Sequence, residues 1–231
     1  MLEKIAVFGA DANIGTTMIS MGIAEILTSL GEEEIMYIDC SDKLYEGYTG
    51  LPFFKTNGID MIGRVVETLQ TVYKVGDYKA ILGPRSRNPI SYDPDTVERI
   101  IKDLGPDMHR IILDAGSDPR NMLSIGALKV ADRRIYVIRQ NPKCLDKFEL
   151  AVENILRPNG LYTEKDIVIL NAERKTNLLL SEKDISGRLL RNIHTLPFIR
   201  DGIKCEYRKC TLTTYSKKFN NALKKIVVKE L

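Results

Sequence analysis

The stretch Ile5 to Thr17, IAVFGADANIGTT, decides the fold. Ile5 to Phe8 is a continuous apolar run stopped by Gly9, the pattern of a strand buried on both faces. A turn of small residues follows. From Thr16 the apolar positions Met18, Ile19, Ile23, Ile26, Leu27 and Leu30 recur at helical spacing until Gly31 supplies a stop. Strand, turn and helix in that order aim unpaired helix N–H groups and the positive end of the helix dipole at a backbone that an anion can approach closely. Such a turn holds phosphate in more than one fold, so its position alone does not choose the ligand.

Outward from this unit the same alternation continues. Buried strands read at Ile35 to Ile38, Ala80 to Leu82, Ile111 to Leu113, Ile135 to Ile138 and Ile167 to Leu170. Helical patterns lie near Ile59 to Val72, Asp95 to Leu104, Asn121 to Ala131 and Leu145 to Leu156. Short apolar strands alternating with amphipathic helices predict right-handed crossovers and an α/β fold of three layers, α/β/α, on a mostly parallel central sheet. At least six strands are expected, with the first one central and the ligand at the carboxyl ends. Leu44 to Asn57 and Gly83 to Asp93 leave strand ends on that edge; they read as switch-like or partner-binding loops, or equally as ordinary connections.

The bulk numbers bound the rest. A chain of 231 residues with 44% hydrophobic side chains can bury a full core and fits one domain spanning 1–231. The formal charge is +3, with 34 basic and 31 acidic residues intermixed, so no strong field exists to hold nucleic acid. Cys40, Cys144, Cys205 and Cys210 show no paired spacing, and His109 and His194 are the only histidines, which argues against zinc sites and disulfides. The first apolar run is too short for a signal peptide, and a cytoplasmic location is expected.

Two motifs compete for the turn. Against the Walker A pattern GxxxxGK[ST], Gly15 and Thr17 match, Ala10 stands at the first glycine and Thr16 replaces the lysine. Against the dehydrogenase turn GxxxGxG, Gly9 and Gly15 match, Asn13 replaces the middle glycine, and Asp39 would suit a ribose hydroxyl. Those dehydrogenases need a tyrosine with a lysine four residues later, and none of the ten tyrosines has one. Tyr162 and Lys165 are three apart.

Later features extend the first motif. Asp39 is followed by Cys40, Ser41 and Asp42 in a switch I position, and Ile111 to Gly116 read as a Walker B strand running through Asp114 into switch II. Asn171 leaves a later strand, and Leu196, Pro197 and Phe198 form a short proline-containing segment. Over nearly its whole length the chain resembles the MinD/ParA superfamily of P-loop NTPases, in character the atypical TadZ/CpaE proteins of pilus loci. The resemblance implies a nucleotide site made of Asp11, Ala12, Asn13, Ile14, Gly15, Thr16 and Thr17, with Asn171, Pro197 and Phe198 beside the base. It implies magnesium near Thr17, Asp39 and Asp114, and catalytic candidates Asp39, Asp42 and Asp114.

Three departures qualify that site. The family's signature lysine is Asp11 and its phosphate-binding lysine is Thr16; its second switch I aspartate falls on Ser41, with Asp42 adjacent. Asp11 near the γ-phosphate turns attraction into repulsion of about 1–4 kcal/mol for unit charges a few Å apart. A structural alternative is that Asp11 caps the first helix. The expected function is a localisation or assembly factor for a pilus or secretion apparatus, with a degenerate P-loop and weak or no hydrolysis. ATP or ADP with magnesium, or no cofactor, fits that role, as do protein partners of a membrane-associated assembly and a homodimer. Alternatives are an active ATPase using Arg85, Arg87 or a partner's cation, a nucleotide-free scaffold and, last, a dehydrogenase. The final segment carries Phe219, Leu223, Ile226 and Val227 on one face and is expected to pack on the domain rather than on a membrane, where MinD carries a membrane-binding helix.

Overall fold

Strand β1 (Glu3–Gly9) lies between β5 (Arg110–Asp114) and β6 (Arg133–Ile138) and runs parallel to both. Ile5 to Phe8 are at most 1% exposed, as a strand covered on both faces requires. The computed structural model describes residues 2–41, 72–81, 93, 95–104, 108–174, 179–202 and 204–231. Within them the sheet has eight strands in the order β3-β4-β2-β5-β1-β6-β7-β8, where β2 is Ile35–Asp39, β3 Tyr73–Val75, β4 Tyr78–Ile81, β7 Ile167–Glu173 and β8 His194–Pro197. Only β3, at one edge, is antiparallel to its neighbour. The expected mostly parallel sheet with a central first strand is observed.

Alternation along β1 divides the core. Ile5 and Val7 face one side, Ala6 and Phe8 the other. The first side is covered by α1 (Thr16–Ser29), α7 (Leu212–Tyr215) and α8 (Lys217–Glu230), the second by α2 (Thr96–Asp103), α3 (Met122–Val130), α4 (Pro142–Ala151) and α5 (Glu182–Leu189). A short α6 (Lys204–Arg208) precedes α7. The buried residues of α8 are Phe219, Leu223, Ile226 and Val227, the predicted stripe, and they pack against α1. Contact is close because Gly22 of α1 has no side chain: a Cβ there would fall 2.9 Å from Leu223 Cδ2 and 3.0 Å from Thr213 Cγ2.

Differences from the predicted elements are local. The helix expected from Leu145 begins at Pro142, since Asn141 accepts the Lys143 N–H and proline suits the first turn, and it loosens into a π turn over Val152–Leu156. The strand expected at Ala80 to Leu82 starts earlier, at Tyr78, after a tight β3–β4 turn through Gly76. Apart from Val72 and Asp93, the predicted helix at Ile59 to Val72 and the loops Leu44 to Asn57 and Gly83 to Asp93 lie outside the described residues, as do Asp42, Arg85 and Arg87. Among the described residues no helix is long and apolar enough to cross a membrane.

Candidate functional site

Parallel pairing brings the carboxyl ends of β1, β2, β5, β6 and β7 to one edge, so the residues singled out in the sequence converge there. The turn after β1 is anchored by backbone bonds. Gly9 donates to the Gly116 carbonyl at 2.8 Å and Ala10 to the Val137 carbonyl at 2.9 Å. Asn13 and Gly15 take positive φ angles of 57° and 93°, which turn the chain sharply into α1. Gly15 is the N-cap, and α1's first backbone bond runs from the Ile19 N–H to the Gly15 carbonyl. The N–H groups of Thr16, Thr17 and Met18 meet no acceptor among the described residues, leaving a row of donors at a helix start.

Thr16 does not reach outward as a lysine would. It is 7% exposed, and its hydroxyl sits against the α-carbon of Gly9, in the space a Cβ there would need. Thr17 is half-buried and lines a cleft of about 430 Å³ together with Asn13, Ile14, Gly15, Asn171, Pro197 and Phe198. Arg139 and Arg200 also line this cleft, so cationic side chains stand there without a P-loop lysine. Ala12 is exposed at the turn's tip.

Asp11 is not the helix cap considered above. Its carboxylate accepts from its neighbour Ala12 N–H at 2.9 Å and from Lys147 Nζ at 2.6 Å. Hydrogen bonding from Lys147 holds the carboxyl below its ordinary range, partly opposed by desolvation. The charge of Asp11 is therefore matched by α4, one helix away. Lys147 escaped the sequence reading, because nothing short of the β1–β6 pairing places the start of α4 beside the β1 turn; the available signal was a basic residue in the helix after a strand ending on the ligand edge.

Asp39 and Asp114 are Cα partners in the β2–β5 register. Asp39 Oδ1 accepts from the Ser41 N–H and hydroxyl at 2.9 and 2.6 Å; Asp114 accepts from the Gly116 N–H at 3.1 Å and the Tyr37 hydroxyl at 3.1 Å. Burial and the two carboxylates push the Tyr37 phenol well above its usual value, so it stays a donor. The segments that follow β2 and β5 pack together, since a Cβ on Gly116 would fall 2.9 Å from Ser41 Cβ. Among the described residues no three His, Cys, Asp or Glu side chains gather as a metal cluster. Thr17, Asp39 and Asp114 are oxygen donors of the type magnesium takes, an ion that uses few protein ligands and completes its shell with phosphate oxygens and water; of the three, Thr17 lines the cleft and Asp39 and Asp114 do not.

Asn171, which lines the cleft, also holds the turn. Its amide donates to the Ile14 carbonyl at 2.6 Å, so the side chain braces the phosphate turn, and it occupies the space a Cβ on Gly15 would need. The Arg174 guanidinium stacks on Phe198 with its carbon 3.5 Å from the ring centroid, covering one face of the ring. Gln140 fixes that segment through the Arg174 N–H and the carbonyls of Arg174 and Leu180.

Topology separates the two motif readings. In the dinucleotide fold the first and second strands are neighbours. Here β5 stands between β1 and β2 and sets Asp114 beside the turn, as a Walker B strand does. The fold is that of the MinD and ParA ATPases. MinD in the MinC:MinD cell division protein complex of Aquifex aeolicus matches with a TM-score of 0.79 at 17% identity, over 98% of this chain and 94% of that one. MinD of Pyrococcus horikoshii, solved with Mg-ADP, matches at 0.79 and 15% identity, over 99% and 96%. A plasmid partition protein of Borrelia burgdorferi bound to AMPPNP matches at 0.73 and 16% identity, over 99% and 100%. No protein-family model and no curated protein sequence matches the chain.

Proposed function

We propose that the chain is an atypical MinD/ParA-like protein of one domain, TadZ/CpaE-like in character. It binds nucleotide weakly at the β1–α1 turn and serves as a localisation or assembly factor for a pilus or secretion apparatus. The observation that carries the reading is the preserved backbone cradle without its cation: three N–H groups at the start of α1 are open among the described residues, while Thr16 is folded onto Gly9. Anion binding then rests on backbone dipoles and Thr17, and the γ-phosphate lacks the charge that hydrolysis uses. Its protein partners belong to a membrane-associated assembly, and a homodimer fits the cleft's place on the sheet edge. Titration of the purified protein with labelled ATP and ADP, with and without magnesium, tests the reading. Saturable, magnesium-sensitive binding supports it; no binding of either nucleotide favours a scaffold.

One observation favours a second reading. Arg139 and Arg200 line the cleft, and either could replace the missing lysine in a competent ATPase. Turnover lost on Arg139→Ala or Arg200→Ala would select it.

A further inference from the structure

Between β8 and α7 the chain turns back on itself. α6 ends where Lys209 takes a left-handed conformation, φ 51°, and the Cys210 N–H donates to the Cys205 carbonyl at 3.1 Å. A bond from the sixth residue back to the first across one left-handed residue is the Schellman form of helix end, which sets the side chains of its first and sixth residues against each other. That contact is commonly apolar; here both members are thiols. Their spacing in sequence carries no pairing signal, and it is the turn that joins them.

The two cysteines are not equivalent. Cys40, Cys144 and Cys205 are buried, whereas Cys210 is the one cysteine of the four with part of its surface open. Burial first, and then the charge and hydrogen bond of the neighbouring Cys210 thiol, push the Cys205 thiol up to about 12. The two sulfurs are thus within hydrogen-bonding reach of each other. Arg208 and Lys209, both exposed, precede Cys210 and offer positive charge to an anionic reagent.

We propose that Cys205 and Cys210 are a redox-active pair, closing reversibly to a disulfide by exchange with a small anionic disulfide of the glutathione class. The Cys210 thiol gives its proton to water, and its thiolate attacks one sulfur of the reagent, whose S–S bond breaks; the thiolate released takes up a proton. That step also removes the Cys210 thiol as a cause of the raised Cys205 value and leaves burial alone. Cys205 then gives up its proton and attacks the Cys210 sulfur, expelling the second small thiolate, which is protonated in turn. The protein loses two hydrogens and two electrons, and the reagent gains them as two thiols. Gly202 before the pair and Leu212 after it both line the nucleotide cleft, and a Cβ on Gly202 would fall 3.3 Å from Leu212 Cδ2, so the bond crosses a loop hung from the cleft wall. The proposal does not rest on nucleotide binding, because its test reads sulfur chemistry alone.

Oxidised glutathione is the probe, added to the reduced full chain and followed by intact mass and tryptic mapping after acid quenching. The wild type should lose the mass of two hydrogens, retain no glutathione, and yield the tryptic peptides 205–208 and 210–217 joined by one bond. Dithiothreitol should reverse the change. Cys210→Ser, at a partly exposed position that does not threaten folding, should react on the order of tenfold more slowly or less, since the thiols left are buried. Cys205→Ser should stop with one glutathione on Cys210. A wild-type chain that stays reduced, stops at the glutathione adduct, or joins Cys40 or Cys144 instead would overturn the proposal, as would a folded Cys210→Ser chain oxidised as fast as the wild type.

Discussion

Asn171, at the end of β7, donates its side-chain amide to the carbonyl of Ile14 across 157 residues of chain, at 2.6 Å. The β1–α1 turn is thereby fastened to the far half of the sheet by a residue that also lines the cleft. Replacing it with leucine leaves the Ile14 carbonyl without that donor. We expect a loss of about 1–3 kcal/mol in urea denaturation, together with weaker anion binding. An Asn171→Leu variant as stable as the wild type would show that the brace contributes nothing.

Gly15 is coupled to the same contact. Its φ of 93° disfavours any side chain, and a Cβ would fall 2.5 Å from Asn171 Nδ2. Gly15→Ala should therefore destabilise by more than the ~1 kcal/mol that an incompatible φ alone commonly costs. In the Asn171→Ala background the steric part should disappear, so the two losses should be less than additive. Strict additivity in a double-mutant cycle would refute the coupling.

The Asp11–Lys147 pair predicts a pH dependence of definite sign. The Asp11 carboxyl is held below its ordinary value, so the pair's contribution is complete above that value and fades as pH falls through the lowered one. Both side chains are partly exposed, at 30% and 46%, which limits the pair to roughly 1 kcal/mol or less after solvent screening. Lys147→Met should cost about that much at pH 7 and lose that cost in acid once the Asp11 carboxyl is protonated, and high salt should shrink the difference. A cost that persists in acid would assign the effect to packing of the lysine stem.

Hydrolysis should be undetectable or far below that of related ATPases. Thr16 stands where the phosphate-binding lysine is expected and Ser41 where the second switch I aspartate is, and one lost preorganised donor commonly costs about 10²–10³ in rate. Steady-state phosphate release on the purified chain checks this. Turnover abolished by Asp114→Ala would contradict it.

Fold and site were legible to different depths. The strands at Ile5, Ile111, Ile135 and Ile167 could be read because full burial makes them continuous apolar runs, and the α8 stripe because one face packs on α1. β3 was missed: three residues, Tyr-Lys-Val, are too few for a periodic signal. In the site, sequence placed the turn and the two strand-end aspartates, which follow from local pattern. It did not place Lys147 on Asp11 or Asn171 on Ile14, because both contacts join positions more than a hundred residues apart through sheet order. The alternative of a cap at Asp11 is excluded for a local reason, since the N-cap is Gly15, four residues further on.

The most direct measurement is calorimetric titration of MgATP into the wild-type chain and into Thr16→Lys. If the turn keeps a phosphate cradle and lacks only the cation, the wild type should bind weakly and Thr16→Lys at least about tenfold more tightly, with a gain that shrinks in salt. Lys147 already answers Asp11, so no change at Asp11 should be needed for that gain. A folded Thr16→Lys variant that binds no ATP at millimolar concentration would contradict the account and leave the turn as structure alone.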